Sequence, residues 1–240
     1  MFAKIREDAR INLVNAPEQV SAILGGIYWI FYIGIVPGIL DYALVILENF
    51  SNRAFHLQQI VFCILNCLFL CLIFGRFLLD SWKQLRGRFG RGLFVAGLGF
   101  STTILTGIFL YAPGLAGYPI IDPLNGIDAF DLLKEFPWGS LFPLIVCVPI
   151  THACLMRALV FGSRCEDRPW LAYSLSLLLA ALPFVLMLRI WGIGGVLQIL
   201  PMHLLTHLIL CWVYRVTANI WPSIFAHMSI QAILCLTCVI

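Results

Sequence analysis

Uncharged apolar runs of about 20 residues recur along the whole chain, and a run of that length is what an α-helix needs to cross a bilayer. They fall at roughly 21–46, 56–79, 93–113, 138–162, 170–190, 193–212 and 221–240. The pattern predicts an all-α, polytopic integral membrane bundle of about seven transmembrane helices. The fourth run is the least regular, because Pro149 and the polar pair Thr151-His152 interrupt it. In residues 1–20, Phe2, Ile5, Ile11 and Leu13 alternate with charges before Pro17 breaks the pattern, as in a short interfacial helix. The longest polar interruption, 114–137, has the Gly, Pro and Asn-Gly content of turns, and its DAFDLLKEF stretch suits a short amphipathic helix on the membrane surface.

Composition strengthens this reading. The chain is 61% hydrophobic and 11% charged, with a mean hydropathy of +0.96, whereas a soluble domain is about half apolar and about a quarter charged. No composition shift divides it, so residues 1–240 are expected to form a single membrane domain. The N-terminal residues are polar and mixed in charge, which does not match a cleavable signal peptide, and the first span is expected to serve as the targeting signal. Without an internal repeat, a transporter built from inverted halves is not supported.

Orientation follows the basic residues. Lys4, Arg6 and Arg10 precede the first span, Lys83, Arg86, Arg88 and Arg91 follow the second, Arg164 and Arg168 follow the fourth, and Arg215 follows the sixth. The other side receives Arg53, Lys134 and Arg189 with the acidic Asp122, Asp128, Asp131 and Glu135. The N-terminus is therefore expected in the cytoplasm and the C-terminus outside. A net charge of +3 gives no reason to invoke nucleic acid. The nine cysteines lie mostly within apolar runs. Cys63, Cys67 and Cys71, spaced i, i+4, i+8, read as packing residues of one helix face rather than a disulfide framework or a metal stripe.

Against this background the polar residues of the second half stand out, because an ionisable group inside a membrane helix is costly and normally has a function and a partner. His227 carries Gln231 one helical turn below it. His152 and Arg157 share the fourth span, about 140° apart around an ideal α-helix. His203 and His207, at i, i+4 on the sixth span, project from one face and could supply two metal ligands, with His152 or His227 as a third. A pattern of this kind without a carboxylate fits a metal or haem site, or histidines that bond carbonyls within the bundle.

At these residues the chain resembles the CAAX-processing and bacteriocin-processing (CPBP, or Abi) family of intramembrane proteases. That family has paired glutamates followed by Arg (EExxxR), then Phe-x-x-x-His, then His-x-x-x-Asn, reached through a Tyr-x-x-Thr-Gly-Ser-Leu-Trp connector. The connector stands here as Tyr214-Arg-Val-Thr217-Ala218-Asn219-Ile220-Trp221, and His227-x-x-x-Gln231 follows at the usual interval with Gln for Asn. The first motif reads His152-Ala153-Cys154-Leu155-Met156-Arg157: the Arg is kept, and His and Ala stand where the glutamates belong. The middle motif aligns with Phe184-Val-Leu-Met-Leu188, with Leu for His. The resemblance covers roughly 142–232. It implies a water-activating base at the first two motifs and oxyanion donors at the third, for which this chain offers His152 as base and His227, Gln231 and Arg157 as donors.

Three functions follow as expectations. The first is a divergent CPBP-like membrane protein that binds a membrane-embedded peptide or lipidated segment, holding it rather than cleaving it as a standard protease would. A non-catalytic member of this kind could serve as a subunit of a membrane complex. The second is an active peptidase with a modified, His-based site. The third is a metal or haem protein with His203 and His207 among its ligands. The bilayer is the common partner, and the sequence names no cofactor.

Overall fold

The computed structural model describes residues 17–34, 52–111, 121–122, 127–128, 133, 136–162 and 168–239. Helix α1 spans Gln19–Gly34, α2 Asn52–Arg86 and α3 Phe89–Tyr111. Helix α4 runs Pro137–Gly162, α5 Pro169–Thr217 and α6 Ile220–Val239. Among the described residues Gln59–Arg86, Phe89–Ile108 and Pro137–Gly162 are long and apolar enough to cross a membrane, and Gln19–Phe31, Pro169–Leu182 and Ile220–Leu236 are shorter apolar helices. Among the described residues the elements are helical apart from a two-residue antiparallel ladder, β1 Ile121–Asp122 on β2 Ile127–Asp128, within the predicted outer segment. Residues 1–16 of the expected interfacial helix, the far end of the first span with Asp41, and most of the DAFDLLKEF stretch lie outside the described residues.

Two boundaries differ from the sequence pattern. Helix α2 is 35 residues long, about 52 Å at the α-helical rise, and continues well past its apolar run. The expected basic loop at 83–91 is therefore mostly helix: Lys83 and Arg86 form the last turn of α2, and Gly87 and Arg88 make the turn into α3. Basic side chains at a helix C-terminus complement its dipole, which favours carrying the helix through them.

The second difference concerns α5, whose helical run covers both predicted spans 170–190 and 193–212. It is not one rod. Phe184 and His203 are nineteen residues apart, about 28 Å along a straight helix, yet their rings are 4.8 Å apart between centroids. Ser176 Oγ lies 2.7 Å from His207 Nε2, which no straight helix permits. The run is doubled back into two facing arms, and Gly192, Gly194 and Gly195 lie between the facing pairs. Glycine is the weakest helix former after proline, so this is where a turn is cheapest.

Helix α4 is continuous through Pro149, Thr151 and His152, but not uniformly α. It is α-helical at Pro137–Phe142 and Val148–His152, and π-helical at Pro143–Cys147 and Ala153–Gly162. Each proline lacks the N–H its turn needs, and its ring crowds the preceding turn, which favours a widened helix. Most of α4 is buried, with Ala153, Cys154, Leu155, Ala158 and Phe161 fully enclosed. They pack with Leu70 and Phe74 of α2, Cys211 and Tyr214 of α5, and Ile220 and Ile224 of α6. Helix α6 also lies against α3 and α5. Cys63 and Cys67 on α2 and Cys147 and Cys154 on α4 are buried between the helices.

One end of the bundle gathers most of the described basic residues. Asn219 Nδ2 donates to Ser81 O at 2.6 Å and Trp221 Nε1 to Leu78 O at 2.9 Å, which bring the start of α6 to the end of α2. Arg215 stacks over the Tyr173 ring at 5.9 Å, so both ends of α5 meet there. Lys83, Arg86, Arg88, Arg91, Arg168 and Arg215 thus share a face.

Candidate functional site

Three helices each contribute a histidine to one cluster. His152 of α4 sits 5.5 Å from His227 of α6 and 6.4 Å from His203 of α5, centroid to centroid. His203 in turn packs on Phe184, which is fully buried on the facing arm of α5. His152 and His227 are buried, and His203 is half-buried. The apolar helices make the meeting energetically sensible, since polar groups in such surroundings gain by sharing partners.

Arg157 lies on the same helix as His152, within its π-helical part, with a fully enclosed side chain. In an ideal α-helix five residues place two side chains well apart around the axis. The i→i+5 bonding of a π-helix stacks residues five apart more nearly over one another. The widened turns therefore bring Arg157 round toward the side of His152. Its Nη2 donates to Pro149 O at 3.4 Å, while Nε and Nη1 have no hydrogen-bond partner among the described residues. The guanidinium is within electrostatic range of His207 and His227.

His207, one turn beyond His203, turns to a different task. Ser176 donates its hydroxyl hydrogen to Met156 O at 2.9 Å and meets His207 Nε2 at 2.7 Å. With that hydrogen committed, Nε2 is the donor to Ser176 Oγ, and the pair ties both arms of α5 to α4. Cys211 Sγ completes the group at 3.5 Å from Nε2 and 3.6 Å from Ser176 Oγ. Among the described residues no group of three or more His, Cys, Asp or Glu side chains is arranged to hold a metal ion.

The structure thus places His152, His203 and His227 together, with Arg157 and His207 alongside. Gln231 lies one turn beyond His227, half-buried, and makes no hydrogen bond among the described residues. The side chain of Leu188 is outside the described residues. Ser176 was missed in the sequence; its only local signal is a serine in the middle of an apolar helix. The connector fixes His227 from below. Ala218 adopts the left-handed conformation, φ 50°, ψ 28°, between α5 and α6. Asn219 Oδ1 then caps α6 by accepting from Trp221 N at 3.0 Å, and Trp221 packs edge-on to Trp82 at 5.2 Å.

Among the described residues the carboxylates with placed side chains are Glu18 and Asp80, each in an exposed ion pair, with Arg76 at 2.9 Å and Lys83 at 3.1 Å. Neither belongs to the histidine cluster. The arrangement offers hydrogen-bond donors and imidazole nitrogens, and the positions where the resemblance calls for paired glutamates carry His152 and the fully buried Ala153.

Comparison with known proteins agrees with the motif reading. Residues 134–233 match the family model described as type II CAAX prenyl endopeptidase Rce1-like. That match spans the resemblance at 142–232 and takes in α4, α5 and most of α6. No curated protein and no solved structure matches the chain. The chain is thus similar to Rce1-like proteins of the CPBP family over residues 134–233, and its long apolar helices are those of a membrane protein.

Proposed function

We propose that this CPBP-type membrane protein binds a membrane-embedded peptide or lipidated segment at the His152–His203–His227 cluster, and holds it without hydrolysing it. The single observation that carries the reading is the pairing of an assembled donor cluster with Ala153 and His152 at the glutamate positions. Hydrolysis of a peptide bond needs a base to activate water and donors for the developing oxyanion. This chain keeps the donors and has exchanged the carboxylates. The ligand class follows the family's printed description, a CAAX prenyl endopeptidase, whose substrates would be lipidated C-terminal segments. A complex subunit that shelters such a segment fits the same site. The bundle is oriented with its basic face in the cytoplasm and its C-terminus outside.

The test uses the purified full-length protein in lipid nanodiscs with a fluorescent farnesylated CAAX peptide. Saturable binding without cleavage supports the reading; absence of binding overturns it. A second reading, a peptidase with His152 as base, draws on the 5.5 Å approach of His152 to His227. Cleavage that disappears in His152→Ala would establish that alternative.

A further inference from the structure

The guanidinium of Arg157 is fully enclosed, and its one described hydrogen bond, from Nη2 to Pro149 O, is long at 3.4 Å. Nε and Nη1 point at no acceptor among the described residues. Arginine keeps its charge in proteins, so it cannot escape burial by losing a proton. A buried cation without a counter-charge is among the most costly arrangements a fold can hold. Its described surroundings supply imidazoles, the thiols of Cys154 and Cys211 and apolar side chains, but no carboxylate. The sequence explains the imbalance. The motif keeps its arginine, while the two acidic positions one turn earlier are His152 and Ala153.

We propose that Arg157 is the anion-binding element of the site, and that the missing negative charge is delivered by the ligand as a carboxylate on an apolar body. This deepens the reading above and rests on the site's holding a membrane-embedded ligand. A guanidinium suits a carboxylate because its planar donors match two oxygens and it sheds water more readily than an ammonium. One cation calls for one negative charge, and the enclosing helices are apolar, so the ligand's remainder is hydrocarbon or hydrophobic side chains. Two sources share this chemistry: a fatty acid, and the free C-terminus of a hydrophobic peptide.

The experiment uses the full chain in nanodiscs with paired probes: dodecanoic acid against dodecanol, and a hydrophobic nonapeptide with a free C-terminal carboxylate against its C-terminal amide. In wild-type protein the acid of at least one pair binds about tenfold or more tighter than its neutral partner, as a charge-assisted hydrogen bond implies. Arg157→Gln removes that preference. It leaves the ligand-free melting temperature unchanged or higher, since an uncompensated charge has been taken out of the interior. Selectivity confined to the acid–alcohol pair assigns the carboxylate to a lipid, and selectivity confined to the peptides assigns it to a chain terminus. Equal binding of acid and neutral probes overturns this inference alone, leaving the ligand-binding reading standing. A ligand-free protein that melts much lower as Arg157→Gln, and is restored by Arg157→Lys, also overturns it, because the arginine then has a counter-charge within the chain. No binding by any probe, nor by the farnesylated peptide, removes both readings.

Discussion

The imidazole rings of His152 and His227 face each other with centroids 5.5 Å apart, although they come from the fourth and sixth helices. His203 joins the group at 6.4 Å from His152. His152 takes part in both ring contacts and is therefore the informative one to remove. In a holding site, His152→Ala changes affinity for the farnesylated peptide by less than about tenfold, the size of one modest hydrogen bond. In a peptidase the same change would lower turnover by about 10²–10⁴. Parallel binding and cleavage measurements on one preparation separate the two.

Ala218 takes a left-handed backbone conformation at φ 50°, where a non-glycine residue carries a cost of about 1–2 kcal/mol. The motif it belongs to has glycine at this place. Ala218→Gly is expected to raise stability by roughly 1 kcal/mol, the steric relief being partly offset by the freer unfolded chain. Equilibrium unfolding in mild detergent reads the change directly, and lower stability would show that the left-handed turn is not strained.

Ser176 joins three chain segments by accepting from His207 Nε2 and donating to Met156 O. Ser176→Ala takes the hydroxyl away from the buried His207 N–H, leaving it only the longer contact to Cys211 Sγ at 3.5 Å, and from the Met156 carbonyl. The expected loss is about 1–3 kcal/mol. Ser176→Thr keeps the hydroxyl but adds a methyl in a closed space, so it should fall between alanine and wild type. Thermal unfolding of the three proteins gives the order.

Topology follows the end at which Lys83, Arg86, Arg88, Arg91, Arg168 and Arg215 gather. A reporter inserted at the Gly87–Arg88 turn is expected to read as cytoplasmic, and one fused after Ile240 as exoplasmic. The insertion belongs at the turn, because the neighbouring residues continue α2 and α3. Two reporters on the same side would mean an even number of crossings between them.

Much of this was legible in the sequence, because membrane helices announce themselves by length and apolarity. The pattern located the helices at 56–79, 93–113 and 138–162, and the cost of stray polar groups singled out His152, Arg157 and His227. Three features were not legible. The π-helical turns of α4 depend on how two prolines are accommodated, and periodicity assumes 3.6 residues per turn. The role of Ser176 depends on a pairing across the fold of α5, which a linear reading cannot supply. The reach of α2 past its apolar run depends on helix-end electrostatics rather than on hydrophobicity.

The connector from Tyr214 to Trp221 does its work on other helices' backbones: Asn219 holds Ser81 O, Trp221 holds Leu78 O, and Asn219 Oδ1 starts α6. None of these bonds touches the histidine cluster. A protein can thus exchange every group that performs chemistry and still need this stretch to set the height and rotation of its last helix. The segment by which such a chain is recognised and the segment by which it would act are physically separable. Kinship read from the connector reports how the bundle is fastened, and says nothing of whether a bond is ever cut inside it.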